Sequence, residues 1–421
     1  MIFFSADIEI FKVKALNWAS SFNVCCYLDS NKFADKYSKF ETLIAVGARD
    51  ELKADTGTAF EKLENFRKKH NEWILGNLTY DLKNEIESLQ SDNLDQLNFP
   101  DLYFFVPEIL IKITGNNIEI IGGRPKQIFT EIEQLNADIF FENKKDKVNV
   151  QSKLSEAEYI NIVDKIKEHI TKGDIYVSNF CQEFYALNSS INPACVYYQL
   201  NKLSPSPFSC FFRQGSNFIM SASPERFLAK RGSKLISQPI KGTARRGKNE
   251  EEDQQIKIAL RNNQKELQEN VMIVDLVRND LTKSAKYGSV KTEELFGIYT
   301  FNQVHQMIST VTCEILHEIS DIQAIKNSFP MGSMTGAPKI KAMELMELYE
   351  QSRRGLYSGA IGYFAPDGDF DFNVVIRSIL YNSSNKYLSF QAGSAITYQA
   401  KATDEYQECL LKAKAIIEVL T

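Results

Sequence analysis

Lys234-Leu235-Ile236-Ser237-Gln238-Pro239-Ile240-Lys241-Gly242-Thr243 ends a short strand and then sets a lysine beside a glycine. The run Asn217 to Ala222 reads as one strand and Lys234 to Pro239 as the next, which opens a β-rich reading of the chain. Pro239 fixes the approach, and Gly242 lets the backbone come near a bound ligand with no side chain in the way. A free lysine amine titrates at about 10.4, so roughly one molecule in a few thousand is unprotonated at neutral pH. A catalytic lysine therefore needs desolvation or neighbouring cations, and Arg245 and Arg246 follow closely. The pentapeptide alone is equally compatible with a solvated surface turn.

Outward from this point, Glu250 to Leu281 reads as helical, with apolar residues 256, 260, 267, 271 and 274 in phase. Between Val271 and Val277 only Asp275 is polar, which predicts a stretch buried all round. Ser155 to Glu158 has capping-box form and opens a helix to about Thr171, closed by Gly173. Ile175 to Tyr185 reads as a strand, and residues 359 to 393 as a three-stranded meander turning at Pro366–Asp369 and Asn382–Asn385. The last helix, from about Asp404 to Leu420, has an apolar stripe at 406, 409, 410, 413, 416, 417 and 420. Earlier, Leu102 to Val106 and Asn117 to Ile121 look like strands, and Thr58 to Trp73 looks helical. The polar segment Glu142 to Val148 reads as a linker or exposed loop, giving an N-terminal part, 1–145, and a C-terminal region, 150–421, expected to form one intertwined domain. Strand pairs broken by long helices argue α+β rather than a doubly wound sheet.

The bulk composition excludes several classes. Of 421 residues, 43% are hydrophobic and 24% charged, as in ordinary globular proteins. A net charge of −5 gives no nucleic-acid surface. Acids come too early at the N-terminus for a signal peptide, and no apolar run nears the ~20 residues that cross a bilayer, so the expected setting is cytoplasmic, away from membranes. Seven scattered cysteines with no Cys-x-x-Cys read as reduced core thiols, without a zinc site.

Six ordered blocks surround Lys241 and narrow the reading: Ser221-Ala222-Ser223-Pro224-Glu225-Arg226-Phe227, the Lys241 block itself, Glu269-Asn270-Val271-Met272-Ile273-Val274-Asp275, Gly332-Ser333-Met334-Thr335-Gly336-Ala337-Pro338-Lys339, Gly359-Ala360-Ile361-Gly362-Tyr363 with Asn373 to Arg377, and Asp404-Glu405-Tyr406-Gln407-Glu408. In this order, over roughly residues 150 to 421, the chain resembles the chorismate-utilising enzymes, which include anthranilate, aminodeoxychorismate, isochorismate and salicylate synthases. The resemblance implies a β-sandwich core of two mostly antiparallel sheets surrounded by helices, with the site in a cleft between the layers. Lys241 is similar to the lysine of the aminodeoxychorismate synthases, where anthranilate synthases carry a small residue. That branch implies amination of chorismate at C4 with ammonia, towards p-aminobenzoate and folate.

The same resemblance assigns roles. Lys241 is the expected nucleophile, Glu225 the general acid and His305 a group beside the substrate ring. Thr243, Thr335, Tyr363, Arg377, Gly393 and Ser394 are the expected substrate contacts, and Glu269 and Glu408 the expected ligands of Mg²⁺. From the residues alone, Glu225 could instead pair with Arg226 or Arg213 on the surface, and His305 could simply be packed. Arg377, placed by strand alternation on the face of Val375, Ile379 and Tyr381, must find an anion, either substrate or an internal acid. Glu269 falls on the face of Ile273, Leu276 and Asp280, an odd place for a glutamate without a partner, whereas Glu408 falls on a polar face and periodicity rates Glu405 equally. Gly332 to Lys339 lacks the Gly-Lys-Ser/Thr of a phosphate loop.

Two positions depart from the family pattern. Val177 stands where water-using synthases carry a lysine, and Ala395 replaces a glycine near the expected carboxylate contact. No cysteine sits in a glutaminase nucleophile turn, and Thr421 directly follows the last helix, so ammonia is expected from a separate glutaminase subunit and no fused lyase is expected. The rival readings are anthranilate synthase component I, aminating C2, and a non-catalytic ligand-binding subunit.

Overall fold

The structure is a computed structural model and describes residues 1–421 apart from 34, 139–147 and 302–303. The expected linker at Glu142 to Val148 therefore lies outside the described residues up to position 147.

Every strand pairing among the described residues is antiparallel. One sheet runs from Val177–Ala186 through Tyr387–Ile396, Ser378–Asn382, Asn217–Ser223, Phe208–Gln214 and Val24–Asp29 to Thr42–Ala54 and Leu102–Thr114. The other runs from the first half of Leu102–Thr114 through Ile74–Leu78, Ala360–Phe364, Phe370–Asn373, Arg226–Arg231 and Lys234–Gln238 to Val304–Glu314, which also pairs with Ile240–Arg245 and Lys291–Thr300. Strands from the first 145 residues thus hydrogen-bond strands from the last 70.

The first sheet is buried on both faces, so its strands are apolar runs whose neighbours diverge. Ile219 packs in one core with Leu75, Phe104 and Phe372 of the second sheet. Its neighbours Phe218 and Met220 face the opposite core, beneath helices Ile8–Ser20, Glu156–Lys172, Pro193–Leu203 and Ala402–Leu420. This is the sandwich wrapped by helices that the resemblance implied.

Several elements differ from expectation. The helical run 250–281 is two helices, Glu250–Arg261 and Gln264–Thr282, because Asn263 breaks the chain and caps the second one. The stretch Val271 to Val277 is not buried all round: Val271 is 42% exposed and Asp275 is exposed, while Ile273, Val274 and Val277 are buried. A solvent-facing valine was invisible to composition. Residues 359–393 hold four strands, not three, and Phe370–Asn373 does not pair with Ser378–Asn382. Between them the chain crosses from the second sheet to the first. The capping box at Ser155 and the left-handed Gly173 closure formed as read. All seven cysteines are buried free thiols.

Candidate active site

Two crossings between the sheets set the site. Asn217–Ser223 lies in the first sheet and Arg226–Arg231 in the second, so Glu225 sits in a crossing. Arg377 sits in the other, at φ +53°. The crossings are tied together: Val374 N donates to Glu225 O at 3.0 Å, and Ala222 N donates to Arg377 O at 3.1 Å. Arg377 is therefore not on a continuous strand as its alternation suggested, because a residue with positive φ cannot continue the pleat. It is half-buried, burial holds its ionisation below the usual arginine value, and no described residue makes a hydrogen bond or ion pair with its guanidinium.

Lys241 lies within the strand Ile240–Arg245 rather than after it. The register against Val304–Glu314 slips between Ile240 and Thr243, a bulge centred on Lys241 and Gly242. Gly242 has φ +100°, and a β-carbon there would come within 3.1 Å of the Met307 Cβ. Asn270 Nδ2 donates to the Lys241 carbonyl at 3.3 Å, docking the bulge on helix Gln264–Thr282.

Glu225 is buried, and burial pushes its carboxyl up to about 7, with the Ser333 hydroxyl and the Lys241 charge opposing the rise. It makes no surface pair with Arg226, which is held by Asp35 and Asp371, or with Arg213, which bonds to the carbonyls of Gly215 and Ser20.

Glu269 and Glu408 approach from opposite sides. Glu269 is carried by Gln264–Thr282 under the second sheet, and Glu408 by Ala402–Leu420 under the first. Burial raises the Glu269 carboxyl, against Lys241 and Lys265, and the charges of Glu266 and Glu408 add to the rise. Burial also raises Glu408, but Lys412, Lys265 and Lys241 together bring it below the ordinary value. Sequence reasoning missed Lys412, whose ammonium lies 2.7 Å from Glu408 and donates to Gly393 O at 2.8 Å. Its i, i+4 spacing from Glu408 was the available signal.

Magnesium is the ion the family resemblance implies, and the donor chemistry fits it. Glu269 Oε1 is buried with no hydrogen-bond partner among the described residues, an oxygen left for a ligand. Among the described residues no three acidic, histidine or cysteine side chains converge to hold a metal alone. Two carboxylates with water and a substrate carboxylate completing the shell is the manner of Mg²⁺.

The other expected contacts divide. Gly393 and Ser394 lie in strand Tyr387–Ile396, with the Ser394 hydroxyl 3.0 Å from the Tyr159 hydroxyl; a β-carbon at Gly393 would strike Cys181 Sγ at 2.5 Å. Thr335 is buried, with its hydroxyl donating to the Gly332 carbonyl at 3.2 Å. Thr243 is exposed opposite Gln306. Val177 is buried opposite Ala337.

Tyr363 lies in a separate pocket, and His305, on the strand beside the Lys241 bulge, has partners of its own. Both ring nitrogens of His305 are engaged, Nδ1 with Thr300 Oγ1 at 3.0 Å and Nε2 with Asp253 Oδ1 at 2.9 Å. Asp253, on the preceding helix, gave no sequence cue to that partnership. Tyr363 packs against Phe40 and Trp73 in a separate pocket with Ser30, Lys39 and Asp371. The tyrosine that faces Arg377 is Tyr357, buried six residues earlier and overlooked in the sequence.

Four glutamates (266, 269, 405 and 408) and three lysines (241, 265 and 412) act on one another here, beside an arginine with no partner among the described residues. The chain belongs to the chorismate binding enzyme family, whose model matches residues 24–418. It is 32% identical to aminodeoxychorismate synthase component 1 of Bacillus subtilis, over 82% of this chain and 76% of that protein. It is 31% identical to anthranilate synthase component 1 of Thermus thermophilus, again over 82% of this chain and, there, 77% of that protein. The crystal structure of anthranilate synthase component I from Streptococcus pneumoniae superposes with a TM-score of 0.80 at 25% identity, covering 92% of this chain and 95% of that one.

Proposed function

We propose that the protein is an aminodeoxychorismate synthase component, aminating chorismate at C4 with ammonia. The observation that carries this reading is the bulge that holds Lys241 near enough for its charge to act on the buried, weakly acidic Glu225. The Lys241 nitrogen, as the free amine, bonds to C2 of chorismate. Both ring double bonds shift, C1=C2 to C1=C6 and C5=C6 to C4=C5, the C4–O bond breaks, and the hydroxyl leaves as water with the Glu225 proton. The new ammonium at C2 returns a proton to Glu225. Ammonia then bonds to C4, both double bonds shift back, the C2–nitrogen bond breaks as Glu225 protonates the departing lysine, and the new C4 ammonium returns a proton to Glu225. A divalent ion held by Glu269 and Glu408 would neutralise a substrate carboxylate, and Arg377 with Tyr357 suits the other.

Anthranilate synthesis is the second reading, favoured by the similarity to the Thermus thermophilus protein. There ammonia attacks C2 directly and pyruvate leaves, with no use for a lysine at C2. Incubation of the chain with chorismate, ammonium and Mg²⁺, followed by product identification, separates the two. Aminodeoxychorismate is expected, with a chorismate-derived mass increment on the Lys241 peptide when ammonia is withheld. Anthranilate as the product, or wild-type aminodeoxychorismate formation by Lys241→Ala, refutes the lysine pathway. A non-catalytic subunit would give neither product. Use of glutamine requires, on this reading, a second, glutaminase chain.

A further inference from the structure

Lys265 occupies the gap between the two helices that carry the acidic side chains. Its ammonium lies 3.2 Å from Glu405 Oε1 on the opposite helix and 3.8 Å from Glu269 Oε1 on its own. The second distance is too long for a hydrogen bond. It supplies charge to Glu269 Oε1 yet leaves that buried oxygen without a donor. The other lysines are placed differently: Lys412 is bound to Glu408 and the Gly393 carbonyl, and Lys241 makes no ion pair with a described residue. Among the described residues Lys265 alone lies within 4 Å of a carboxylate on each of the two acidic helices, and its side chain is 40% exposed, so the ammonium can turn to water without disturbing the core.

We propose that Lys265 is a resident counter-cation that closes the carboxylate cradle in the metal-free protein and must swing out for a divalent ion to enter, thereby setting metal affinity. The proposal rests on the reading of Glu269 and Glu408 as metal ligands. Four glutamates in a half-buried site repel one another when no ion is bound, and an ammonium within 4 Å of two of them relieves this. The metal binds only the open arrangement, so its apparent dissociation constant is the intrinsic one divided by the open fraction. A cradle closed about nine-tenths of the time weakens binding about tenfold.

The test is calorimetric titration of the full chain with MgCl2, without chorismate. Lys265→Met keeps the aliphatic stem and removes the charge. It is expected to bind Mg²⁺ about three- to tenfold more tightly. Its metal-free form should melt at a lower temperature than wild type and rise further on adding Mg²⁺. Lys265→Arg should stay near wild type. The affinity gap between wild type and Lys265→Met should narrow in high salt, since the clamp is screened more than the bound ion. Unchanged or weaker Mg²⁺ binding by Lys265→Met overturns the proposal, provided Glu269→Gln abolishes binding. Wild-type Mg²⁺ affinity in Glu269→Gln instead removes the metal reading itself, and the clamp with it.

Discussion

At the scale of single residues, Glu225 gives the sharpest solution test. Its carboxyl is buried in the fold and pushed up to about 7. A raised carboxyl binds more protons in the native state than in the unfolded one between the unfolded value, about 4.3, and 7, so stability falls as pH rises through that window. Glu225→Gln removes the ionisation and should be more stable than wild type at pH 8 by up to about 3 kcal/mol, with no such gain at pH 4. Denaturant melts at the two values read this directly. On the proposed mechanism Glu225 is the acid for C4–O cleavage and must be protonated, so wild-type activity should decline above about pH 7, and the glutamine variant should lose about 10²–10⁴-fold in rate. Equal stability of the two proteins at pH 8 would mean that the carboxylate is better solvated than its burial suggests. Residue reading also shows the limits of pattern: Lys241, Glu225 and Glu269 were legible because they sit in ordered blocks. Tyr357 was not, because only the fold brings it to Arg377, and Lys412 was passed over although its i, i+4 spacing from Glu408 on one helix was readable.

At the scale of elements, the sequence marked where strands and helices begin better than how they connect. The capped helix Glu156–Lys172 and the hairpin strand Asn117–Ile121 followed from local rules that tertiary packing does not override. The strand through Arg377 failed because period-2 alternation cannot register a crossing between sheets, and a positive-φ arginine leaves no compositional trace. The partnership of His305 with Asp253 was unreadable for a related reason, since Asp253 comes from a helix 52 positions away. The bulge at Lys241 is the element whose geometry matters most to chemistry. Gly242→Ala puts a β-carbon into a left-handed position already close to Met307, and should cost about 1–3 kcal/mol. Any relaxation re-aims Lys241, so kcat should fall far more than KM changes. Thermal melts and steady-state kinetics on the one variant check both halves. A variant with wild-type kcat would show that the bulge does not set the lysine's direction.

At the scale of the whole molecule, the two halves of the chain share one sandwich. Ile74–Leu78 pairs along its length with Ala360–Phe364, and Asn382 Nδ2 donates to Leu97 O across 285 positions of sequence. Residues 150–421 carry all of the proposed site, yet alone they would leave the Ala360–Phe364 strand as a bare apolar edge. That fragment is expected to be insoluble or molten, and to recover fold and activity only with residues 1–145 supplied. A monomeric, cooperatively melting fragment would overturn this. Soluble expression and circular dichroism decide it. Among the described residues no helix is long and apolar enough to cross a membrane.

The long strand Leu102–Thr114 has a further consequence, which concerns synthesis rather than the finished molecule. It emerges early from the ribosome, when its partners Thr42–Ala54 and Ile74–Leu78 are already made, so both pairings are open to it from then on. The outer edge of Ile74–Leu78 must then wait for Ala360–Phe364, some 280 residues later. At about 5–20 residues per second that is roughly 15–60 seconds with an open edge in a crowded cell. Slowing translation between residues 100 and 360 by rare codons should therefore lower soluble yield, whereas the same codons placed after residue 364 should not.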